Sequence, residues 1–312
     1  MSRVLTLALN PALDLAIGLE RLVPGSVNRS RESSLTAAGK GNNVAHVLAL
    51  QGHGVTVSGF LGRDNQGPFE RAFLEWGVRD QFVRVPGETR VNAKLSEADG
   101  RVTDINGPGA AVASAALDEL RVRLSTLADE IDAVVVSGSL PPGVTPSQLA
   151  ALIAQLKRLG LPVWLDSSGE ALVQGAAARP ALIKPNEVEL AECAGRALEN
   201  EAALFAAARA LQEDGIENVM LSLGGDGVAW FFDGGALRAR PPRVDIVSTV
   251  CAGDTLLAGA LHGTLSGWSR EQTLRFATAL SADAVRRIGV GLSDIDDFAT
   301  LSEAVVIEEL SA

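Results

Sequence analysis

Ser248-Thr249-Val250-Cys251-Ala252-Gly253-Asp254-Thr255 runs directly into Leu256-Leu257-Ala258-Gly259-Ala260-Leu261. A strand-like apolar run (Val244, Ile246, Val247) gives way there to small residues and a glycine, and a helical pattern follows. The first turn of a helix has unpaired backbone N–H groups and partial positive charge, so it is a natural seat for phosphate oxygens. Asp254 falls in that turn. Its carboxylate can complement the helix dipole, or it can act as a base beside an anion hole, taking a hydroxyl proton while amides hold a phosphoryl group. The local sequence leaves both uses open.

The chain has 312 residues, 47% apolar and 21% charged, which is globular and large enough for a substantial core. No internal repeat, low-complexity segment or linker divides it, so one domain over residues 1–312 is expected. Acidic residues outnumber basic ones 38 to 27, a net charge of −11. No global positive field favours nucleic acid or an acidic membrane, and an anionic substrate would need local cations. Cys193 and Cys251 show neither metal spacing nor a CxxC pair. Residues 1–7 are too short and too quickly polar for a signal peptide. No apolar run approaches the roughly 20 residues of a membrane span. A soluble cytoplasmic protein is expected.

Residues 4–9 read as a buried strand. Residues 14–36, broken at Pro24 and Gly25, read as short strands, and 42–50 as a helix. A strand at 55–61 and a helix at 66–76 follow. Residues 90–96 and 101–105 flank Glu97-Ala98-Asp99-Gly100 and predict a hairpin. Next come a helix at 112–127 and the β-branched strand 133–136. Strand and helix then alternate: helix 146–159, strands 163–166 and 182–184, helices 188–194 and 202–212, strand 219–223. A hairpin at 227–232 and 236–240 precedes the opening stretch, and 273–287 reads as a last long helix. This alternation predicts a mostly parallel sheet covered on both faces, with ligands at the carboxyl ends of its strands. The hairpin-rich segments 12–36 and 88–106 break the rhythm and predict a small accessory sheet.

Five further stretches carry chemistry. Ala38-Gly39-Lys40-Gly41-Asn42-Asn43 is a glycine-flanked lysine entering a helix: Lys40 offers a point charge to phosphate and Asn43 an amide to hydroxyls, unless the lysine is simply exposed in a loop. It is not a P-loop, because Gly41 stands where Ser or Thr is required. Arg90, Asn92 and Lys94 alternate, and could clamp a phosphate ester or form a solvated face. Ser137-Gly138-Ser139-Leu140-Pro141-Pro142-Gly143 closes a buried strand, as a polar-ligand loop or a turn. Lys184-Pro185-Asn186-Glu187-Val188-Glu189 offers Asn186 as a helix cap, or Asn186 and Glu189 as oxygen donors to a hydrated Mg²⁺. Ser222-Leu223-Gly224-Gly225-Asp226-Gly227 is a hairpin turn or a backbone surface for a nucleotide, and it lacks the G-x-G-x-x-G dinucleotide pattern. His46, His53 and His262 have no metal-ligand spacing and read as helix or surface histidines.

Gly39-Lys40-Gly41-Asn42-Asn43-Val44-Ala45 near the front and Ser248-Thr249-Val250-Cys251-Ala252-Gly253-Asp254 near the back resemble the two signatures of the PfkB (ribokinase-like) carbohydrate kinases, in order and separation. The likeness spans essentially the whole chain. Within the family it is greatest to bacterial 1-phosphofructokinases, through Leu9-Asn10-Pro11-Ala12-Leu13-Asp14, Phe60-Leu61-Gly62-Arg63-Asp64-Asn65-Gln66 and Val244-Asp245-Ile246-Val247-Ser248. The resemblance implies a three-layer α/β/α fold whose accessory sheet is a lid, with ATP and Mg²⁺ as cofactors. It implies transfer of a phosphoryl group to fructose 1-phosphate, giving fructose 1,6-bisphosphate; tagatose 6-phosphate and fructose 6-phosphate are alternative acceptors. A sugar-phosphate-binding regulator that has lost turnover is the alternative of a different class.

By position, the resemblance implies that Asp254 is the base, and that the Ala252 and Gly253 amides form the anion hole in the turn opened by Cys251. Asp14, Gly39 and Asn43 would hold sugar hydroxyls, Lys40, Arg90 and Lys94 the existing phosphate, and Ser139 would stand on the same side. Lys184, Asn186 and Glu189 would serve the ATP phosphates and Mg²⁺, the metal being met by Glu189 through water. Ser222, Gly224, Gly227 and Thr249 would line the nucleotide. The lid would also carry a homodimer contact. One departure stands out: the family motif opens with glycine where this chain has Cys251. A left-handed cysteine would cost roughly 1–2 kcal/mol, so a negative φ is expected. A thiol at a helix start is also expected to have a lowered pKa and to react, with alkylation blocking ATP.

Overall fold

The computed structural model describes residues 1–287 and 289–310, so the last two residues of the expected 1–312 domain lie outside the described residues. Its first strands are β1 (Arg3–Ala8), β2 (Ala12–Leu19), β3 (Glu32–Ala38), β4 (Gly54–Gly62), β5 (Arg79–Asp80), β6 (Val83–Val85), β7 (Val91–Glu97) and β8 (Val102–Asn106). The later ones are β9 (Ala133–Ser137), β10 (Val163–Asp166), β11 (Leu182–Ile183), β12 (Asn218–Ser222), β13 (Val228–Phe232), β14 (Gly235–Arg240) and β15 (Val306–Glu309). Helices α1 (Lys40–Leu50), α2 (Gly67–Trp76), α3 (Ser114–Leu127), α4 (Pro146–Arg158) and α5 (Gly169–Ala177) lie in the first part of the chain. Helices α6 (Glu187–Ala194), α7 (Glu201–Glu213), α8 (Ala252–Leu265), α9 (Arg270–Ala284) and α10 (Ile295–Glu303) complete the set.

Alternation along the strands separates two cores. Leu5, Leu7, Val134 and Val136 face one way and pack with Leu120 and Leu124 of α3, Leu152 and Ile153 of α4, and Leu172 of α5. Val4, Ala8, Ala133 and Val135 face the other way and pack with Val44 and Leu48 of α1, Phe69 and Phe73 of α2, and Leu257 and Leu261 of α8. A strand buried on both faces must be apolar throughout, which is why residues 133–136 form an unbroken apolar run.

The main sheet has the order β15-β14-β13-β12-β11-β10-β9-β1-β4-β5, with β6 also paired to β4. Strands β12 through β5 are parallel to their neighbours, and β13, β14 and β15 form an antiparallel edge. The chain passes from β1 to β4 on one side and returns to β9 on the other, so the order reverses beside β1. A reversal of this kind opens a crevice at the carboxyl ends of the strands. The second sheet, β3-β2-β7-β8, is separate and forms from the two hairpin-rich segments.

The expected strand at Val244–Val247 does not form. Residues 241–249 carry no strand, and Ile246 and Val247 are largely exposed. Alternation there has no neighbouring strand to pair with, and pattern alone does not make a ladder. The final elements α10 and β15 lie beyond the helix read as the last one, and α5 is a nine-residue run with two glycines, Gly169 and Gly175, that weaken its helical pattern.

Helix α8 is held from several sides: nine of its 14 residues are buried, and a side chain on Gly259 would come within 2.9 Å of Ala277 Cα in α9. Its last turn carries His262, whose Nδ1 lies 2.9 Å from His53 Nε2, so these two histidines form a partly buried pair. Burial lowers the pKa of both; for His53 the Ser2 carbonyl opposes the shift, and for His262 the His53 charge adds to it. A depressed folded-state pKa gives stability that is present above about pH 6.5 and is lost as pH falls through the folded values. The urea midpoint of the protein should therefore fall between pH 7 and pH 5 more steeply than that of a His53→Leu/His262→Phe double variant. Parallel curves would contradict this.

Candidate active site

The crevice beside β1 collects the ends of five parallel strands. Asn10 follows β1, Ser139 follows β9, Asp166 ends β10, Lys184 follows β11 and Ser222 ends β12. Facing them is the start of α8, where Asp254 is only 5% exposed. Among the described residues the Gly253 and Asp254 amides have no acceptor, whereas the Ala252 amide reaches the Thr249 carbonyl at 3.4 Å. The unpaired donors thus begin one residue later than expected. Asn43 Nδ2 donates to Asp254 Oδ2 at 2.7 Å, joining the start of α1 to the start of α8. Gly39 lets α1 begin there: its φ is 103° and a side chain would meet Pro11 Cα at 3.0 Å.

Asp166 is the residue that no motif signalled. It is buried, with Lys184 Nζ at 3.3 Å, Lys40 Nζ at 3.4 Å and a hydrogen bond from Ser137 Oγ at 3.3 Å. Burial pushes its carboxyl up, but Lys184 and Lys40 outweigh that and hold it below the ordinary carboxylate range. Asp254 responds differently. Burial and the Asp166 charge raise it to about 6, against the opposing pull of Lys40, Asn43 and Lys184. A side chain on Gly253 would lie 3.3 Å from Lys184 Nζ, so this ammonium sits at the amide turn itself. The arrangement can accept a proton near neutral pH while cations and amides hold an anion alongside.

On the side of the second sheet, Lys94 Nζ pairs with Asp14 Oδ2 at 2.7 Å, and Asn92 Nδ2 donates to Asp14 Oδ1 at 3.2 Å. Arg90 lies just ahead of β7 and spends three donors on the main-chain oxygens of Asn10, Gly107 and Pro11, at 2.9, 3.1 and 3.3 Å. It clasps the connections between the two sheets. Two of its five N–H donors remain for a ligand. Asn10 Nδ2 donates to Ser139 Oγ at 3.1 Å and to the carbonyls of Pro108 and Leu140, which fixes the loop carrying Ser139.

On the other side of the turn lies a cavity of about 620 Å³, lined by Asn186, Ser222, Gly224, Gly227, Thr249 and Gly253 at its polar end and by Val228, Pro241, Val244 and Leu256 at its apolar end. Gly227 must be glycine: at φ 97° a side chain would fall 1.9 Å from the Ala239 carbonyl. Thr278, inside α9, lines the same cavity, and its Oγ1 is buried without a partner among the described residues. An orphaned hydroxyl beside apolar lining suits a ligand with a polar edge and an apolar face, as a nucleotide base has. Thr278 lies within a helical pattern and gave no sequence signal.

Asn186 and Glu189 form a reciprocal helix cap, Asn186 Oδ1 accepting from the Glu189 amide and Glu189 Oε2 from the Asn186 amide, both at 2.9 Å. Glu189 Oε1 has no partner among the described residues. Among the described residues, no group of three or more His, Cys, Asp or Glu side chains could enclose a metal ion. That donor set fits a hydrated divalent cation carried mainly by phosphates, and does not fit a closed protein cage.

Cys251 departs from both expectations. Its φ is +70°, left-handed, because the chain must reverse at this point for the following amides to face the crevice. The strain, roughly 1–2 kcal/mol, is the cost of carrying a side chain at that turn. Burial and the nearby Asp254 charge raise its thiol to about 12, with Lys94 opposing. Burial likewise raises Cys193 to about 11. Neither is an activated nucleophile. Iodoacetamide at pH 8 should label the native protein far more slowly than free glutathione; labelling of Cys251 at the glutathione rate would refute this.

Residues 7–297 match the family described as pfkB family carbohydrate kinase. The chain is 46% identical to 1-phosphofructokinase of Vibrio cholerae over 308 residues, covering 99% of this chain and 97% of that one. It is 44% identical to 1-phosphofructokinase of Escherichia coli over 306 residues, covering 98% of each. Among solved structures, phosphofructokinase-2 from Escherichia coli in complex with fructose-6-phosphate superposes with a TM-score of 0.87 at 28% identity, covering 97% of this chain and 99% of that one. Strand order, crevice and sequence agree, and this chain belongs to the pfkB family of carbohydrate kinases.

Proposed function

We propose that this chain is an ATP-dependent kinase of a phosphorylated ketohexose, converting fructose 1-phosphate to fructose 1,6-bisphosphate. The observation that carries the reading is Asp254: a buried carboxylate raised to about 6, next to two unpaired helix amides and within the field of Lys40 and Lys184, which both pair with the neighbouring Asp166. The names of the relatives at 46% and 44% identity favour fructose 1-phosphate as the acceptor. Fructose 6-phosphate is the second reading, favoured by the sugar bound in the structure at 28% identity.

In this reading the acceptor lies between the second sheet and α1. Asp14, Gly39 and Asn43 meet its hydroxyls, with Ser139 beside them, and Lys40, Lys94 and the spare donors of Arg90 meet its phosphate. Asp254 takes the proton of the attacking hydroxyl as the terminal phosphoryl of ATP moves across in a single in-line step. The amides after Cys251 and the Lys184 ammonium stabilise the charge that spreads over the moving group. The cavity of Ser222, Gly224, Gly227 and Thr249 takes the nucleotide, with Asn186 at its phosphate end. A Mg²⁺ ion would neutralise the ATP phosphates there, met by Glu189 through water. A cytoplasmic location is part of the same reading, since ATP and a sugar phosphate are the substrates it invokes.

Residues 1–312 act as one kinase domain in this reading, with segments 12–36 and 88–106 as a lid over the acceptor. The lid also serves as a homodimer contact. Leu35, Val91 and Ile105 share the face of the small sheet opposite Asp14 and Lys94, and they are 47%, 40% and 58% exposed. Apolar side chains on one sheet face suit burial by a second copy. Sedimentation should give a dimer that a Leu35→Lys/Ile105→Lys variant converts to monomer; a parent protein that sediments as a monomer would remove the dimer proposal.

ADP release measured with each ketohexose phosphate tests the substrate: turnover should be fastest with fructose 1-phosphate, and equal or greater turnover with fructose 6-phosphate would favour the second reading. Asp254→Asn should retain sugar-phosphate binding and lose about 10²–10⁴-fold in kcat. The parent kcat should fall as pH drops through about 6. A loss smaller than about tenfold in the variant would overturn the base assignment.

A further inference from the structure

We infer that Asn43 is a positioning residue for the base: its side-chain amide holds Asp254 Oδ2, and so assigns the removal of the acceptor's proton to Asp254 Oδ1. The inference rests on the reading of Asp254 as the base, and gives Asn43 a second task besides meeting sugar hydroxyls.

The geometry is specific. Asn43 Nδ2 to Asp254 Oδ2 is 2.7 Å, the length of a charge-assisted hydrogen bond. Asp254 Oδ1 has no hydrogen-bond partner among the described residues. A carboxylate clamped at one oxygen cannot rotate freely about its Cβ–Cγ bond, so its other oxygen stays directed where the first turn of α8 puts it. The Asn43 backbone is itself fixed: its main-chain N–H donates to the Gly39 carbonyl at 3.0 Å, in the turn that opens α1. Its neighbour Asn42 points inward and donates to the Ala38 carbonyl at 2.9 Å, so the two asparagines have separate tasks.

An amide suits this position better than a cation would. The charged groups facing Asp254 are Lys40 from α1, Asp166 from the end of β10 and Lys184 from the segment after β11, with the Cys251 thiol in the turn before α8. Two lysines already oppose the combined effect of burial and Asp166. A third cation in direct contact would drive the carboxyl toward the ordinary range and weaken it as a base. A neutral donor orients the group at a smaller loss of basicity. It also couples the two halves of the reaction, because the first turn of α1 that carries Lys40 to the acceptor also carries the residue that aims the base.

The test is the pH profile of kcat at saturating substrates, a condition that reports the bound complex rather than titration of the free sugar phosphate. Two variants are compared with the parent: Asn43→Ala, and the isosteric Asn43→Asp in case the first melts too low to assay. Removing the donor should move the acidic limb upward by about 0.5–1 pH unit in Asn43→Ala. The added like charge should move it by more than about 1 unit in Asn43→Asp. A limb within about 0.2 units of the parent in either folded variant would overturn the inference, whatever happens to kcat or KM, since a purely structural or sugar-binding role leaves the limb in place. Failure of the base assignment itself would appear elsewhere, as an Asp254→Asn enzyme that still turns over.

Discussion

Burying an ionisable carboxylate beside a second one is costly unless positive charge and hydrogen bonds answer it. Asp254 and Asp166 are such a pair, and the residues that answer them come from different parts of the fold. Lys40 and Asn43 arrive on α1, and Lys184 follows β11. The ordinary route for a carboxyl in that position is to become neutral. Here the balance stops part-way, at about 6 for Asp254, while Asp166 stays below the ordinary range. One group remains a fixed anion that gathers the lysines, and the other remains able to exchange a proton. Environments that push two neighbouring carboxyls apart are a recognised sign of divided acid–base roles.

The reversal of strand order beside β1 makes this convergence possible. It brings the start of α1, reached through β2 and β3, against the carboxyl ends of β9, β10 and β11, and α8 packs on both α1 and α9. The small sheet is tied to the same point by Arg90, whose guanidinium joins the main-chain oxygens of Asn10, Pro11 and Gly107. Movement of that sheet would therefore be felt where the acceptor side of the crevice begins. Lys94 and Asp14 pair with each other, so neither is left as a lone charge.

Much of this was legible in the sequence, for identifiable reasons. Strands buried on both faces have to be apolar throughout, and residues 133–136 and 219–221 say so directly. The glycine-flanked Lys40 and the small-residue turn before α8 are visible because close backbone approach admits few residue types. Other features were not legible. Asp166 matters because two lysines converge on it, one of them 126 positions away, and no local pattern encodes that. Thr278 hides in a helical repeat that reads as core. The left-handed Cys251 went against a sound local preference because the direction of the following amides is set by the crevice. Residues 244–247 alternate like a strand, yet no partner strand lies beside them.

The most direct test of the account is a crystal structure with a ketohexose phosphate and a non-hydrolysable ATP analogue bound together. The acceptor hydroxyl should lie within about 3 Å of the Asp254 carboxylate, with the terminal phosphate accepting from the Gly253 and Asp254 amides. A carboxylate turned away from the acceptor, or a terminal phosphate bound away from the start of α8, would contradict it.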